Sequence, residues 1–503
     1  MKSEKKAAVL FSYINSILSI VINIFWGPFL IHTLGDAEYG VYQMVASFAG
    51  YLVLMNFGTG TVMTRYVSIY RKREQEKEQQ NFIAMALLIT VCLAGAIIAI
   101  GMFLYPKLGS LYATLNEAQL EKANVIYWFV VANIVATLLY QAFDGIIMAY
   151  ERYMFAQIWQ LVKTVLRVSL VAILIQWKPN AIFICLIDFI LSSIYLVISV
   201  PYCVRKLKIK WRLTCWNIPL LKEIFLFSSA IFLQAFVNQV NNNVDKTLLG
   251  AMVSPESVSM YSLAMSIYTI FSTLSTALLS LYLPQFTQIA AQCDDPVEIT
   301  KAAVVPARIQ FLISTTVLLG FILCGKDFVL IWAGKEYMPV WTIALIVMLP
   351  MYLVYLMGIV VSILDALGKR LFRSVVLALA AIGNVLISIP LIQHFGMIGA
   401  PIGTAISTIV FSVVLMNAYY QFKLNLHIDL LLRESMRGIW AAEILATLIT
   451  VPFALKVSCG WTGFLIKGTV FVVSLMAGLC AFGLTKTEKL AVRKLFDSRV
   501  KKK

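Results

Sequence analysis

Residues 232–250 read FLQAFVNQVNNNVDKTLLG. Gln234, Asn238, Asn241, Asn242 and Asp245 recur there at i, i+4, i+7, i+8 and i+11, one face of an α-helix. The surrounding apolar run, 219–250, is longer than the ~20 residues that cross a bilayer. Lipid disfavours polar groups at that depth, so the stripe faces protein or a water-filled cavity. A matching stripe, Asn15, Ser19 and Asn23, stands in the first apolar run, 8–33. It precedes Gln234, Asn238 and Asn242 by about 219 positions each, the offset expected of an internal duplication.

Composition agrees with a membrane protein. Hydrophobic residues make up 60% of the 503 positions and charged residues 13%, with a mean hydropathy of +0.85. A soluble domain is nearer half apolar and a quarter charged. The length rule gives about 14 spans. They run over 8–33, 41–66, 82–105, 123–149, 154–177, 181–203, 219–250, 257–283, 302–325, 339–365, 372–392, 397–421, 438–456 and 463–484. The net charge of +16 does not indicate nucleic acid, because the basic residues cluster in short loops between spans. With the N-terminus inside, about 31 of the 41 basic residues fall on the inner side. Both termini are therefore expected in the cytoplasm. The first apolar run is expected to remain as a helix, since no small-residue cleavage site follows its basic head.

The repeat continues through the chain. Gln43 and Ser47 match Ser262 and Ser266, and the eighth span extends its stripe through Thr269, Thr273 and Ser280. AYERYMF after the fourth span matches LGKRLFR after the tenth, with Arg152 and Arg370 at nearly the same offset. The expected organisation is all-α: a six-helix lobe over 1–217, a second over 218–437, and two extra helices with a basic tail over 438–503. An even number of spans per lobe keeps both lobes in one orientation, related by a pseudo-two-fold axis along the membrane normal.

The stripes suit a hydroxyl-rich ligand, because amides offer both donors and acceptors. Interhelical hydrogen bonding explains one or two such residues, but not five on one face. Serine and threonine stripes also serve tight helix packing. Charges within spans are few. Lys163 and Arg167 stand at i, i+4 in the fifth span, at depths similar to Asp144 and Asp188. They form either two ion pairs, Arg167–Asp188 and Lys163–Asp144, or a site for a coupling cation, a proton or a substrate phosphate. Lys246, Arg308, Asp365 and Glu443 are further charges within spans; Asp365 and Arg308 stand near the inner ends of theirs, where snorkelling explains them.

Several classes are disfavoured. No GxxxxGK[ST] loop is present, so ATP hydrolysis is not expected. His32, His394 and His427 are too dispersed for a metal triad, and the eight cysteines show no CxxC spacing. The acidic doublet Asp294–Asp295 reads as a solvated loop. No outer loop is long enough for an extramembrane domain, which argues against a polymerase or ligase.

The stretch HTLGDAEYGVYQMVASFAGYLVLMNFGTGTVMTRYVSIYRKR resembles the opening helices of bacterial polysaccharide and oligosaccharide flippases. Its marks are Leu34, Gly35, Tyr39, Gly40, Tyr42, Gly58, Gly60 and Arg65. LDALGKRLFRS and GNVLISIPLIQHFGMIGAPIGTAIS resemble the same family's C-terminal half, through Gly368, Lys369, Asn384, Phe395, Gly396, Gly399 and Ala400. That family is the polysaccharide branch of an exporter superfamily shared with multidrug antiporters and peptidoglycan lipid flippases. The resemblance implies two six-helix lobes around a cavity lined by the first, second, seventh and eighth spans. It further implies alternating access, no cofactor, and a polyprenyl-diphosphate-linked oligosaccharide moved from the inner to the outer leaflet of a bacterial cytoplasmic membrane. Other polysaccharide-assembly proteins are possible partners. Family cavities tend to be cationic, yet the four lining spans here hold only Arg65 and Lys246. Lys163 and Arg167 are the alternative diphosphate ligands. A drug or cation antiporter is the rival reading, disfavoured by neutral amide stripes.

Overall fold

The computed structural model describes residues 2–277, 282, 285–286, 288–289, 295–367, 369–457 and 460–483, whose regular structure is all helix with no strand. Ser280, Asp294 and Gly368 lie outside the described residues, as does the Asp365 side chain. Among the described residues, eleven runs are long and apolar enough to cross a membrane, with a shorter apolar helix at Leu18–Leu34. The sequence expectation was about 14. One of the eleven, Phe372–Phe422, is 51 residues long and spans two of the expected segments.

The chain divides into two compact units, Met1–Ser262 and Leu263–Lys503. The first contains α1 (Lys2–Leu34), α2 (Asp36–Gly50), α3 (Thr59–Lys72), α4 (Glu76–Leu104), α5 (Lys107–Leu111), α6 (Glu117–Ala149), α7 (Tyr153–Trp177), α8 (Ile182–Pro201) and α9 (Ile218–Met252). It also holds the first part of α10 (Pro255–Thr276). The unit boundary lies beyond the lobe boundary expected at 217/218, and α9 packs along α2 within the first unit. The helices pair α1 with α7, α6 with α8, and α3 with α6.

Local chemistry sets the breaks. The expected second span, 41–66, is two helices. After a 3-10 turn at Tyr51–Asn56, Phe57 and Gly58 adopt left-handed φ values of 45° and 69°. Glycine tolerates that conformation at no steric cost, so the chain re-aims between α2 and α3. Asn116 starts α6 with a capping box shared with Gln119. Asn217 accepts from the Leu220 N–H and a proline follows it, which starts α9. Gly145 sets the contact of α3 with α6: a Cβ there would stand 2.4 Å from the Gly60 carbonyl oxygen. Thr64 donates to the Gly145 carbonyl at 3.1 Å across that contact. Gly60 is thus a packing position.

The second unit continues with α11 (Pro296–Trp332), α12 (Pro339–Leu356), α13 (Gly358–Ala366), α14 (Arg370–Phe395), α15 (Gly399–Ser407), α16 (Met416–Phe422), α17 (Ile428–Met436), α18 (Ile439–Lys456) and α19 (Trp461–Gly478). A π-helical segment, Thr408–Leu415, joins α15 to α16. The two last spans, α18 and α19, pack on α11 through Phe311, Ala442, Ala446, Phe471 and Leu475. Three polar tethers reinforce that packing. Lys467 meets Asp327 at 2.8 Å, with side chains only 2% and 0% exposed. Thr316 donates to Glu443 at 2.7 Å. Arg308 donates to the carbonyls of Glu434, Arg437 and Gly483 at 2.8–2.9 Å. Arg308 and Glu443, two of the intramembrane charges read from sequence, thus secure the terminal spans.

Candidate functional site

Helix α7 carries Gln157, Gln160, Lys163, Thr164 and Arg167 along one face, at steps of three and four residues. That face borders a cavity of about 450 Å³ inside the first unit. Ser19 and Asn23 of α1, Tyr140 and Asp144 of α6, and Tyr195 of α8 complete its wall.

The charges of this wall are arranged unequally. Arg167 grips Asp188 with both arms of its guanidinium, Nε to Oδ1 at 2.5 Å and Nη2 to Oδ2 at 3.0 Å. Parallel N–H···O bonds of this kind fix both partners and neutralise the cation. The expected Arg167–Asp188 pair is therefore present. The expected Lys163–Asp144 pair is not. The Asp144 carboxylate accepts from the Tyr195 hydroxyl at 2.6 Å. Lys163 donates to Ser192 Oγ at 3.1 Å, and Ser192 donates to Asn133 Oδ1 at 2.7 Å. The ammonium also stands 5.4 Å from the Tyr140 ring centroid. Among the described residues Lys163 has no carboxylate partner. It brings a cation, hydrogen-bonded to the neutral Ser192 hydroxyl, to a cavity wall that also carries amides, hydroxyls and the Asp144 carboxylate. Such a wall can accept an anion flanked by sugar hydroxyls.

The stripes divide between opening and packing. Asn23, Gln234, Asn238, Asn242 and Thr269 are exposed, and Ser19, Gln43, Asn241 and Ser266 are partly so. Gln234 donates to Asn238 at 3.4 Å along α9. Asn15, Ser47 and Asp245 are instead buried. Asn15 donates to the side chain and the carbonyl of Gln157 at 2.9 and 3.0 Å, tying α1 to α7. Ser47 lies 3.3 Å from Thr247 Oγ1, between α2 and α9. Asp245 accepts from Tyr261 at 2.6 Å. These three hold helices together, as intramembrane polar groups commonly do. Thr269 bonds back to its own helix at Met265.

The other candidate cations lie elsewhere in the same unit. Lys246 reaches Gln43 Oε1 at 3.4 Å, while Gln43 donates to the Tyr39 hydroxyl at 2.7 Å. The Arg65 guanidinium covers the Phe227 ring at 4.4 Å. Neither lines the cavity of α7. Sequence reasoning missed Gln157, Gln160, Tyr140 and Tyr195. The signal was available for the two glutamines, which share the α7 face with Lys163. The tyrosines gave none, since an aromatic residue in a span is ordinary core. Among the described residues, no cluster of His, Cys, Asp and Glu could hold a metal ion.

A family profile described as "Polysaccharide biosynthesis protein" matches residues 6–290, more than half of the chain. The chain belongs to that family. No curated protein sequence matches it. Solved structures with the same fold accompany the polysaccharide biosynthesis assignment. A lipid II flippase, MurJ, in an inward closed conformation superposes with a TM-score of 0.72 at 15% identity, covering 93% of this chain and 98% of that one. An inward-facing multidrug resistance MATE family transporter of the MOP superfamily gives 0.68 at 12% identity, covering 85% and 99%. A MATE protein in a straight conformation gives 0.55 at 13% identity, covering 84% and 97%. At these identities the likeness is one of fold. This member of the polysaccharide biosynthesis family is thus a multi-pass membrane protein with the exporter fold.

Proposed function

We propose that the chain is a flippase, moving a polyprenyl-diphosphate-linked oligosaccharide from the cytoplasmic to the outer leaflet by alternating access. One observation carries the reading: Lys163, without a carboxylate partner, faces a cavity at span depth that also presents Ser19, Asn23, Gln157 and Gln160. The ammonium takes a phosphate oxygen, and the amides and hydroxyls take the first sugars. Arg167, already neutralised by Asp188, orients the wall rather than binding. The exposed amides of α9 offer further sugar contacts. The polyprenyl tail stays in lipid, where its burial is favourable without protein. An ion gradient or membrane potential drives the cycle, and no bond is made or broken. The organisation is two six-helix lobes over 1–217 and 218–437, with 438–503 as an accessory pair of spans and a basic tail. The setting is a bacterial cytoplasmic membrane with both termini inside. Asp144 on the same wall favours one second reading, antiport of a cationic drug.

Purified protein in detergent, titrated with a polyprenyl-diphosphate oligosaccharide, tests the proposal. A charge-assisted hydrogen bond is worth about 1.5–3 kcal/mol. Lys163→Gln is expected to weaken binding by at least about tenfold, with Asp144→Asn near wild type. Unchanged binding in Lys163→Gln, or tight binding of a lipophilic cation lost in Asp144→Asn, overturns it.

A further inference from the structure

A second cavity, of about 250 Å³, opens where α7 begins and α8 ends. Arg152 and Lys206 line it from two different elements, together with Tyr153, Phe155 and Tyr202. Phe155 and Tyr202 stack at 4.0 Å between ring centroids and form an aromatic floor. The Lys206 ammonium stands 5.7 Å from the Tyr202 ring. Glu151 is the one acidic residue on the wall.

The chain leaves this cavity as an extended strap that continues its charge. Lys208, Lys210 and Arg212 are exposed, whereas Ile209 between them is buried. The strap is pinned by backbone bonds to the start of α4. Arg212 N–H donates to the Gln80 carbonyl at 3.3 Å. Asn81 Oδ1 accepts from Thr214 and Cys215 N–H at 2.8 and 3.1 Å, and its amide returns a bond to the Cys215 carbonyl at 2.9 Å. These bonds hold the backbone at Arg212 against α4, and the Ile209 N–H donates to the Cys203 carbonyl at 3.1 Å. Apolar side chains accompany them: Trp211 is 41% exposed and Trp216 54%. Tyr153 and Ile158, beside the cavity, are also exposed.

Cations interleaved with exposed indole rings and aliphatic groups match a membrane–water interface, where tryptophan settles at headgroup depth. A soluble phosphate needs only the cations. A phospholipid also uses the aromatic floor and the apolar rim. The geometry points to this cavity as a binding site for the headgroup phosphate of an anionic phospholipid of the surrounding bilayer, with the strap 206–212 lying on the same charged surface. The site is separate from the cavity of α7 and does not rest on the cargo proposed for it.

Full-length protein in detergent, titrated by native mass spectrometry with phosphatidylglycerol and with phosphatidylcholine of the same acyl chains, tests the site. One basic residue at an anionic membrane surface contributes about fivefold in affinity. Wild type is expected to prefer phosphatidylglycerol by roughly twenty-fivefold, the product of Arg152 and Lys206. Arg152→Gln with Lys206→Gln is expected to remove most of that preference. Arg152→Lys with Lys206→Arg is expected to keep it, which separates lost charge from lost folding. Lys178→Gln, at the other end of α7, leaves it unchanged. Equal binding of the two lipids, or a preference untouched in the double glutamine variant, overturns the site. So does displacement of the lipid by an equal concentration of soluble glycerol phosphate, which identifies a plain anion site.

Discussion

Breaking the Arg167–Asp188 pair has two unequal outcomes, depending on which partner is removed. Both side chains are partly exposed, 28% and 20%. The pair therefore sits between a surface bridge, worth at most about 1 kcal/mol, and a fully buried one, whose disruption costs about 3–5 kcal/mol. Asp188→Asn leaves a guanidinium that cannot shed its proton at span depth. Its charge persists, and the loss should be about 2–3 kcal/mol. Arg167→Gln leaves a carboxylate that still has the Lys163 ammonium of α7 as a neighbouring cation, so its loss should be nearer about 1–2 kcal/mol. The double variant has no charge to strand and should be less damaged than the sum of the two by about 1–2 kcal/mol. Thermal inactivation of the three variants in one detergent orders them: Asp188→Asn weakest, Arg167→Gln next, the double variant no worse than Asp188→Asn. Equal loss in the two single variants, or additivity in the double, refutes the claim that this bidentate contact is a coupled pair at membrane depth.

Other outcomes follow from the same contacts. Gly145→Val should destabilise α3 against α6 by at least about 1–3 kcal/mol, because its Cβ meets the Gly60 carbonyl; membrane extraction yields and melting temperature measure this. Lys467→Met should cost about 3–5 kcal/mol by stranding Asp327, and Lys467→Met with Asp327→Leu should recover much of it in the same melt. Asn238→Leu with Asn242→Leu should abolish export of surface glycan at normal protein levels, since both are exposed on α9; wild-type export removes them from the pathway.

Much of the helix pattern was legible in the sequence because lipid imposes length and apolarity on each span. The expected spans 154–177 and 219–250 agree with α7 and α9 within two residues. The break inside 41–66 was less visible. Gly58 is visible in the sequence, but the left-handed turn begins at Phe57, an ordinary apolar residue. The polar stripes were legible as stripes, not as functions. Asn15 and Asn23 share a face of α1, yet Asn15 is consumed by Gln157 while Asn23 remains exposed. Only the rotation of α7 against α1 decides that, and periodicity within one helix carries no information about it. In the sequence, depth alone pairs Lys163 with Asp144. Tyr195, which takes Asp144 in the structure, stands on a third helix and offered no reason to be weighed.

The most direct test of the transport account is made in the native host with the gene deleted. Lipids are extracted and surveyed by mass spectrometry for polyprenyl-diphosphate oligosaccharide while surface glycan is assayed. The account predicts that the intermediate accumulates and surface glycan falls, that wild type reverses both, and that Lys163→Gln at equal abundance does not. Unchanged lipids together with altered drug sensitivity would contradict it and favour antiport through the cavity that Asp144 lines.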